Sequence, residues 1–144
     1  MTDWLRIRRG PIEAIEHGVE AVADAGLLEA THLGPRTFDR IDYPIAEVLP
    51  DETARTGPTE WQHTIVVNLY FRRDRELDYI DEVLHPTAAV LDATLGELGG
   101  VDCVANYHPE SIQDFAGELD NTAVLLVSIR LRATALVDPA EFDA

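Results

Sequence analysis

Lysine is absent from this 144-residue chain, and the eleven cationic residues, all arginines, stand against 27 acidic ones. The formal charge of −16 argues against the basic face that phosphate contacts demand, so nucleic-acid recognition is weakly supported. Cysteine is almost missing too. Cys103 stands alone, which excludes an intrachain disulfide, and it reads as a small buried hydrophobe. The longest apolar run, residues 123–127, is strand-sized and far short of the ~20 residues that cross a bilayer. The first residues lack the positive-then-apolar pattern of a secretory signal, so neither a membrane partner nor export is expected. None of His17, His32, His63, His85 and His108 lies three to five residues from another, and no Gly-rich phosphate loop or nucleophile elbow occurs. Nothing near Ser111 or Ser128 marks a nucleophile. The expectation is a protein that is not an enzyme, with no catalytic, cofactor-binding or metal-binding residues.

What the chain does have is acid, alanine and valine. Strong self-repulsion loosens a compact state in dilute buffer, whereas at molar salt the Debye length falls to about 3 Å and screens it. Acid-rich and lysine-free, the composition resembles that of proteins from extreme halophiles. The other reading is an acidic protein that binds a basic partner; the even spread of acids, without an acidic tail, favours the first. The length fits one domain over 1–144, large enough to bury roughly 68–70% of its unfolded surface without a disulfide or metal.

Periodicity predicts a helix over 11–25, opened by Pro11, closed by Gly26, with Ile12, Ile15, Val19 and Val22 in one stripe. Tyr43-Pro44-Ile45-Ala46-Glu47-Val48-Leu49 reads as a short strand. Residues 50–60 have no apolar side chain larger than alanine or proline and read as a loop. Residues 61–72 alternate strictly, with Trp61, His63, Ile65, Val67, Leu69 and Phe71 on one face, so His63 reads as a satisfied core histidine. Leu77, Ile80, Leu84, Ala88, Leu91, Leu95 and Leu98 keep one helical stripe across Pro86, which is expected to kink a helix ended by Gly99-Gly100. Strands over 101–107 and 121–135 follow, joined through a polar stretch at 108–120. The expected fold is α+β: an antiparallel sheet of about four strands with two helices on one face, in the order helix, strand, strand, helix, strand, strand.

Residues 1–10 hold Trp4, Arg6, Arg8 and Arg9, and read either as a frayed terminus or as an arm that docks on a neighbouring subunit. Residues 138–144 read as a C-terminal tail. Arg72, Arg73 and Arg75 cluster at one strand end, and Arg130 and Arg132 share a strand face. Together with the arm these are the candidate subunit-interface residues, pairing with acids across a boundary; contact with passing DNA is the other reading. Changing Arg130 and Arg132 to Ser is then expected to dissolve an assembly and leave the monomer folded. The two polar stretches supply Asp51, Glu52, Arg55 and Glu60, and Glu110, Asp114 and Glu118, as candidate loop contacts. Acid pairs such as Asp78 with Asp81 or Glu82, and Asp51 with Glu52, are of the type that holds a hard cation. Among 27 carboxylates, a hydrated acidic surface is the plainer reading.

The order of these elements carries a resemblance. A helix leads to an irregular approach and Tyr43-Pro44-Ile45-Ala46-Glu47-Val48; then come a polar loop and the strand His63-Thr64-Ile65-Val66-Val67-Asn68-Leu69-Tyr70. A long helix ends in Gly-Gly, and a hairpin through 124–135 closes the chain. Over about residues 11–137 this pattern resembles the tail-terminator, or tail-completion, proteins of long-tailed viruses. The resemblance implies a structural virion protein of the tail and neck, assembled in the host cytoplasm. Its form would be a hexameric ring at the head-proximal end of the tail tube, ending tube growth. The implied partners are the tail tube protein, the head–tail connector or stopper, and DNA passing through the lumen without sequence-specific binding; no cofactor is implied. Halophilic composition then points to a haloarchaeal virus or provirus. Pro86 departs from the pattern. Other readings stay open: another neck or tube ring component, a small ligand-binding or regulatory α+β domain, or a small enzyme using acidic residues.

Overall fold

The computed structural model describes residues 4–34, 42–73, 76–119 and 121–137, with side chains from residue 8 onward. Its elements are α1 (Trp4–Asp24), β1 (Ala30–Leu33), β2 (Ile45–Arg55), β3 (Glu60–Arg72), a π-helix (Tyr79–Leu84), α2 (His85–Gly99), β4 (Val104–Leu119) and β5 (Thr122–Leu136). The class is α+β, as expected, but the sheet has five strands, in the order β1-β2-β3-β5-β4. It is mixed, because β1 runs parallel to β2 and every other pair is antiparallel. β1 comes from a stretch that reads as irregular; four residues are too few to show a period.

Both polar stretches expected to be loops are strand. β2 continues through Pro50 to Arg55, and β4 occupies nearly all of 108–120, so the strands they join are separated only by residues 56–59 and 120–121. The reason is exposure. The far half of β2 and almost all of β4 are solvated, so neither needs the apolar alternation that betrays a half-buried strand. Leu119 pairs with Thr122, and Asn121 takes φ 62°, a left-handed conformation that asparagine tolerates in a tight turn.

One face of the sheet carries the core. Val67, Leu69 and Phe71 of β3 and Val127, Ile129 and Leu131 of β5 pack with Ile15 and Val19 of α1 and Val90 and Leu98 of α2. The two helices cross closely at Gly18, where an added Cβ would lie 2.9 Å from backbone atoms of Ala93 and Thr94. α1 begins before Pro11, which sits inside the helix. Residues 4–10 are therefore helical, not a frayed terminus. A Cβ on Gly10 would stand 3.3 Å from Val101 Cγ1, so the first turns rest on the α2–β4 connection, which offsets the N–H that the buried Pro11 cannot donate.

Pro86 does not kink a single α-helix. It falls in the first turn of α2, where its missing N–H costs nothing, and the turn before it widens into the π-helix. There the His85 N–H donates to the Ile80 carbonyl, and the Thr87 hydroxyl donates to the Val83 carbonyl at 2.7 Å. Asp78 and Glu82 cap the start: the Asp81 N–H donates to Asp78 Oδ1 (3.3 Å) and the Asp78 N–H to Glu82 Oε2 (2.9 Å).

Candidate functional site

Because Ile129 and Leu131 point into the core, Arg130 and Arg132 point to the opposite, helix-free face of the sheet. Two carboxylates reach them there, each from a β-bulge. The pairing of β2 with β3 passes from Pro50↔Ile65 to Glu52↔Thr64, leaving Asp51 as the extra residue. The pairing of β4 with β5 passes from Pro109↔Leu131 to Ser111↔Arg130, leaving Glu110. Arg130 Nη2 lies 2.8 Å from Asp51 Oδ2 and its Nε 3.2 Å from Glu110 Oε2, while Arg132 Nη2 lies 3.1 Å from Glu110 Oε1. Three strands are thereby tied across the open face. Both acids follow a proline, which cannot donate to the ladder and favours a bulge at that place. This proline–acid doublet inside a strand is the sequence signal that could have located the network.

The candidate interface arginines therefore divide. Arg130 and Arg132 meet acids of their own chain, and each pair is only half-buried, worth about 0–1 kcal/mol. Arg72 ends β3 and, with Tyr43, Phe71, Asp81 and Glu82, lines a cavity of about 540 Å³. Arg73 is exposed, and its N–H donates to the Ala123 carbonyl at 2.8 Å. Arg9 pairs with Glu13 one turn away. Arg8 is exposed and makes no ion pair among the described residues. The side chains of Trp4 and Arg6, residue Arg75 and the 138–144 tail lie outside the described residues.

The candidate loop contacts also change character. Asp51 and Glu110 are bulge residues of strands. Glu52 is exposed on β2 opposite Thr64. Arg55 closes the 56–59 turn, donating to the carbonyls of Gly57 (3.1 Å) and Pro58 (2.9 Å), and Thr56 donates to Glu60 Oε2 at 3.2 Å. Asp114 accepts a hydrogen bond from the Tyr79 hydroxyl, which ties the π-helix to the outer half of β4 and raises the tyrosine's pKa. Glu118 is exposed near the hairpin tip.

Of two buried polar groups, Glu47 escapes sequence reasoning and His63 is expected in the core. Glu47, 3% exposed, accepts from the Tyr70 hydroxyl (3.2 Å) and Asn68 Nδ2 (3.4 Å) on the helix-free face. His63 is buried on the helix side; its Nδ1 lies 3.1 Å from Thr53 Oγ1 and its Nε2 has no hydrogen-bond partner. Burial, aided by the positive charge of Arg8, lowers its pKa from 6.5 to about 4, so the imidazole is neutral at neutral pH. It is a core histidine, though only half satisfied. Among the described residues, no three histidine, cysteine or acidic side chains are grouped to hold a metal ion, and no helix is long and apolar enough to cross a membrane.

β4 is an edge of the sheet, and it exposes Ile112 and Phe115 to nearly half their extent, on opposite faces. No family model matches the chain, and no curated protein matches it.

Proposed function

We propose that the protein is a structural virion component of the tail-terminator type, forming a hexameric ring at the head-proximal end of a tail tube in a virus of molar-salt habitats. The observation that carries this reading is the long closing hairpin. Its outer strand, β4, is an open edge with exposed Ile112 and Phe115 on a chain whose charge should otherwise keep copies apart. An edge with exposed apolar side chains is a pairing surface, and in molar salt short-range apolar burial outlasts screened charge. The element order supports the same reading: β2 follows Tyr43-Pro44, and a long helical segment ending at Gly99-Gly100 precedes the hairpin. In such a ring an acidic lumen would let DNA slide without sticking, and the tube protein and head connector would meet its two rims.

Multi-angle light scattering in molar potassium chloride tests the reading. A stable particle of six chains is expected; a monomer or dimer at every concentration rejects it. A second reading, a small ligand-binding α+β domain, is favoured by the 540 Å³ cavity, where Arg72, Asp81 and Glu82 converge beside Tyr43 and Phe71. It would show as a monomer whose unfolding temperature rises with a small polar ligand.

A further inference from the structure

Among the described residues, the open edges of the sheet are protected at every stretch but one. β1 is four residues long, the half of β2 beyond it holds Pro50 and the Asp51 bulge, and the inner half of β4 holds Pro109 and the Glu110 bulge. Short edge strands, prolines and bulges are the devices that keep an edge from pairing with another chain. The outer half of β4, residues 111–119, has neither proline nor bulge. Apolar side chains are exposed at the same place. Ile112 and Phe115 stand on this stretch, and the hydrogen bond from Tyr79 to Asp114 brings the π-helix, with exposed Ile80 and Leu84, beside it. A basic partner is not called for: the stretch holds two acids, and one of them, Asp114, is already engaged by Tyr79.

We propose that residues 111–119 of β4 pair antiparallel with the same residues of a second copy, about a two-fold axis at Phe115. Facing residues of such a pair share one side of the sheet, so the axis passes through a residue and positions of equal parity meet. Centred on Phe115, the pairing sets Phe115 against its copy, Gln113 against Gly117, Asp114 against Ala116 and Ile112 against Glu118, and no acid faces an acid. A centre at Asp114 sets that acid against itself, and a centre at Ala116 sets it against Glu118. Centres farther along draw in the Glu110 bulge or the hairpin turn. The edge is thus self-complementary in one register. On the helix-free side the two Phe115 rings meet, each beside Leu126 of its own chain, and on the other side the two π-helices flank the seam. The net charge of −16 opposes the pair in dilute buffer, and molar salt screens that repulsion. The pair goes beyond the ring reading: a two-fold contact joins copies in twos and does not by itself close a ring, so the pair is the state in which the free chain keeps this edge covered.

Cross-linking tests the register. With Cys103→Ser as background, one variant carries Gln113→Cys and another Gly117→Cys; both positions are exposed, and a Cβ on Gly117 meets nothing within 4 Å, so the fold survives, as circular dichroism would verify. In molar potassium chloride with glutathione disulfide, an equal mixture of the two is expected to give a disulfide-linked pair. Facing Cα atoms lie about 4.5–5.5 Å apart, within the reach of a disulfide. Either variant alone is expected to stay unlinked, because its thiol stands four residues, about 13 Å, out of register with that of its copy. By light scattering in the same salt, dilute wild-type chain is expected at twice 16.0 kDa and Phe115→Glu at 16.0 kDa. Links as strong in either variant alone, or none in the mixture, overturn the pair; a six-chain particle in the latter case leaves the ring reading standing. A linked pair that never grows beyond two chains upholds the pair and rejects the ring.

Discussion

Strands β3 and β4 flank β5 on either side, and they differ in nearly every respect except being strands. β3 is buried along most of its length and its core face reads His63, Ile65, Val67, Leu69, Phe71. β4 is longer, sits at the edge, and is exposed at almost every residue. The difference shows what a sequence records about a strand. Alternation is written only where side chains must choose between core and water; an edge strand solvated on both faces is held by its backbone ladder to β5, and its side chains are free to be polar. The same freedom lets β4 keep a proline, two register shifts and two half-exposed apolar residues.

Substitutions can break or sharpen this contrast. On the buried side, Leu69→Ala removes a fully buried side chain and is expected to cost about 2–5 kcal/mol in chemical denaturation at fixed molar salt. Gly18→Ala comes next, at about 1–3 kcal/mol, because its Cβ meets backbone of α2 that cannot step aside. Gly99→Ala should cost less: the atom it meets is the hydroxyl end of Tyr107, which can move. A third test concerns pH. Below about pH 6.5 the unfolded chain takes up a proton that native His63 refuses until about pH 4, so stability falls across that window as the solution is acidified. His63→Gln is expected to flatten that part of the profile relative to wild type, measured as unfolding midpoint against pH; parallel profiles would mean that His63 is not the group responsible. The smallest effect on the single chain is expected on β4, where Phe115→Ser should change the stability of dilute monomer by no more than about 0.5 kcal/mol. A loss that grows with protein concentration would mean that another copy covers β4, as the ring reading expects, and a loss as large as that of Leu69→Ala at every concentration would mean that Phe115 packs within its own chain.

The α+β class, the α1 stripe, β3 and the existence of a closing hairpin were legible because each rests on an apolar period. The start of α1 was not, since Pro11 reads as an opening signal and only the packing of Gly10 on Val101 shows that the helix precedes it. The apolar stripe read across Pro86 is not the buried face: Ile80, Leu84 and Ala88 are exposed, and Val83, Thr87, Val90 and Thr94 are buried in their place, with Leu98 the one member of the stripe that is fully buried. Of the candidate site, the prominence of Arg130 and Arg132 was visible, whereas their partners were not. Asp51 and Glu110 come from strands two and one positions away in the sheet, and only the register of four strands brings them together. Exposed Ile80 read as part of a core stripe, because burial is a property of neighbours that a periodic stripe does not name, and exposed Ile112 went unremarked inside a polar stretch.

The two bulges have a consequence for how the chain tolerates changes in length. On either side of Asp51 the partners on β3 are consecutive, Ile65 and Thr64, and on either side of Glu110 the partners on β5 are consecutive, Leu131 and Arg130. Deleting either acid would join two correctly paired segments without shifting one of them, so the pairing on both flanks would survive the loss. The clamp across the open face is thus an insertion laid over a sheet that is complete without it, and single-residue insertions and deletions, more than substitutions, are the changes by which it could be gained or lost.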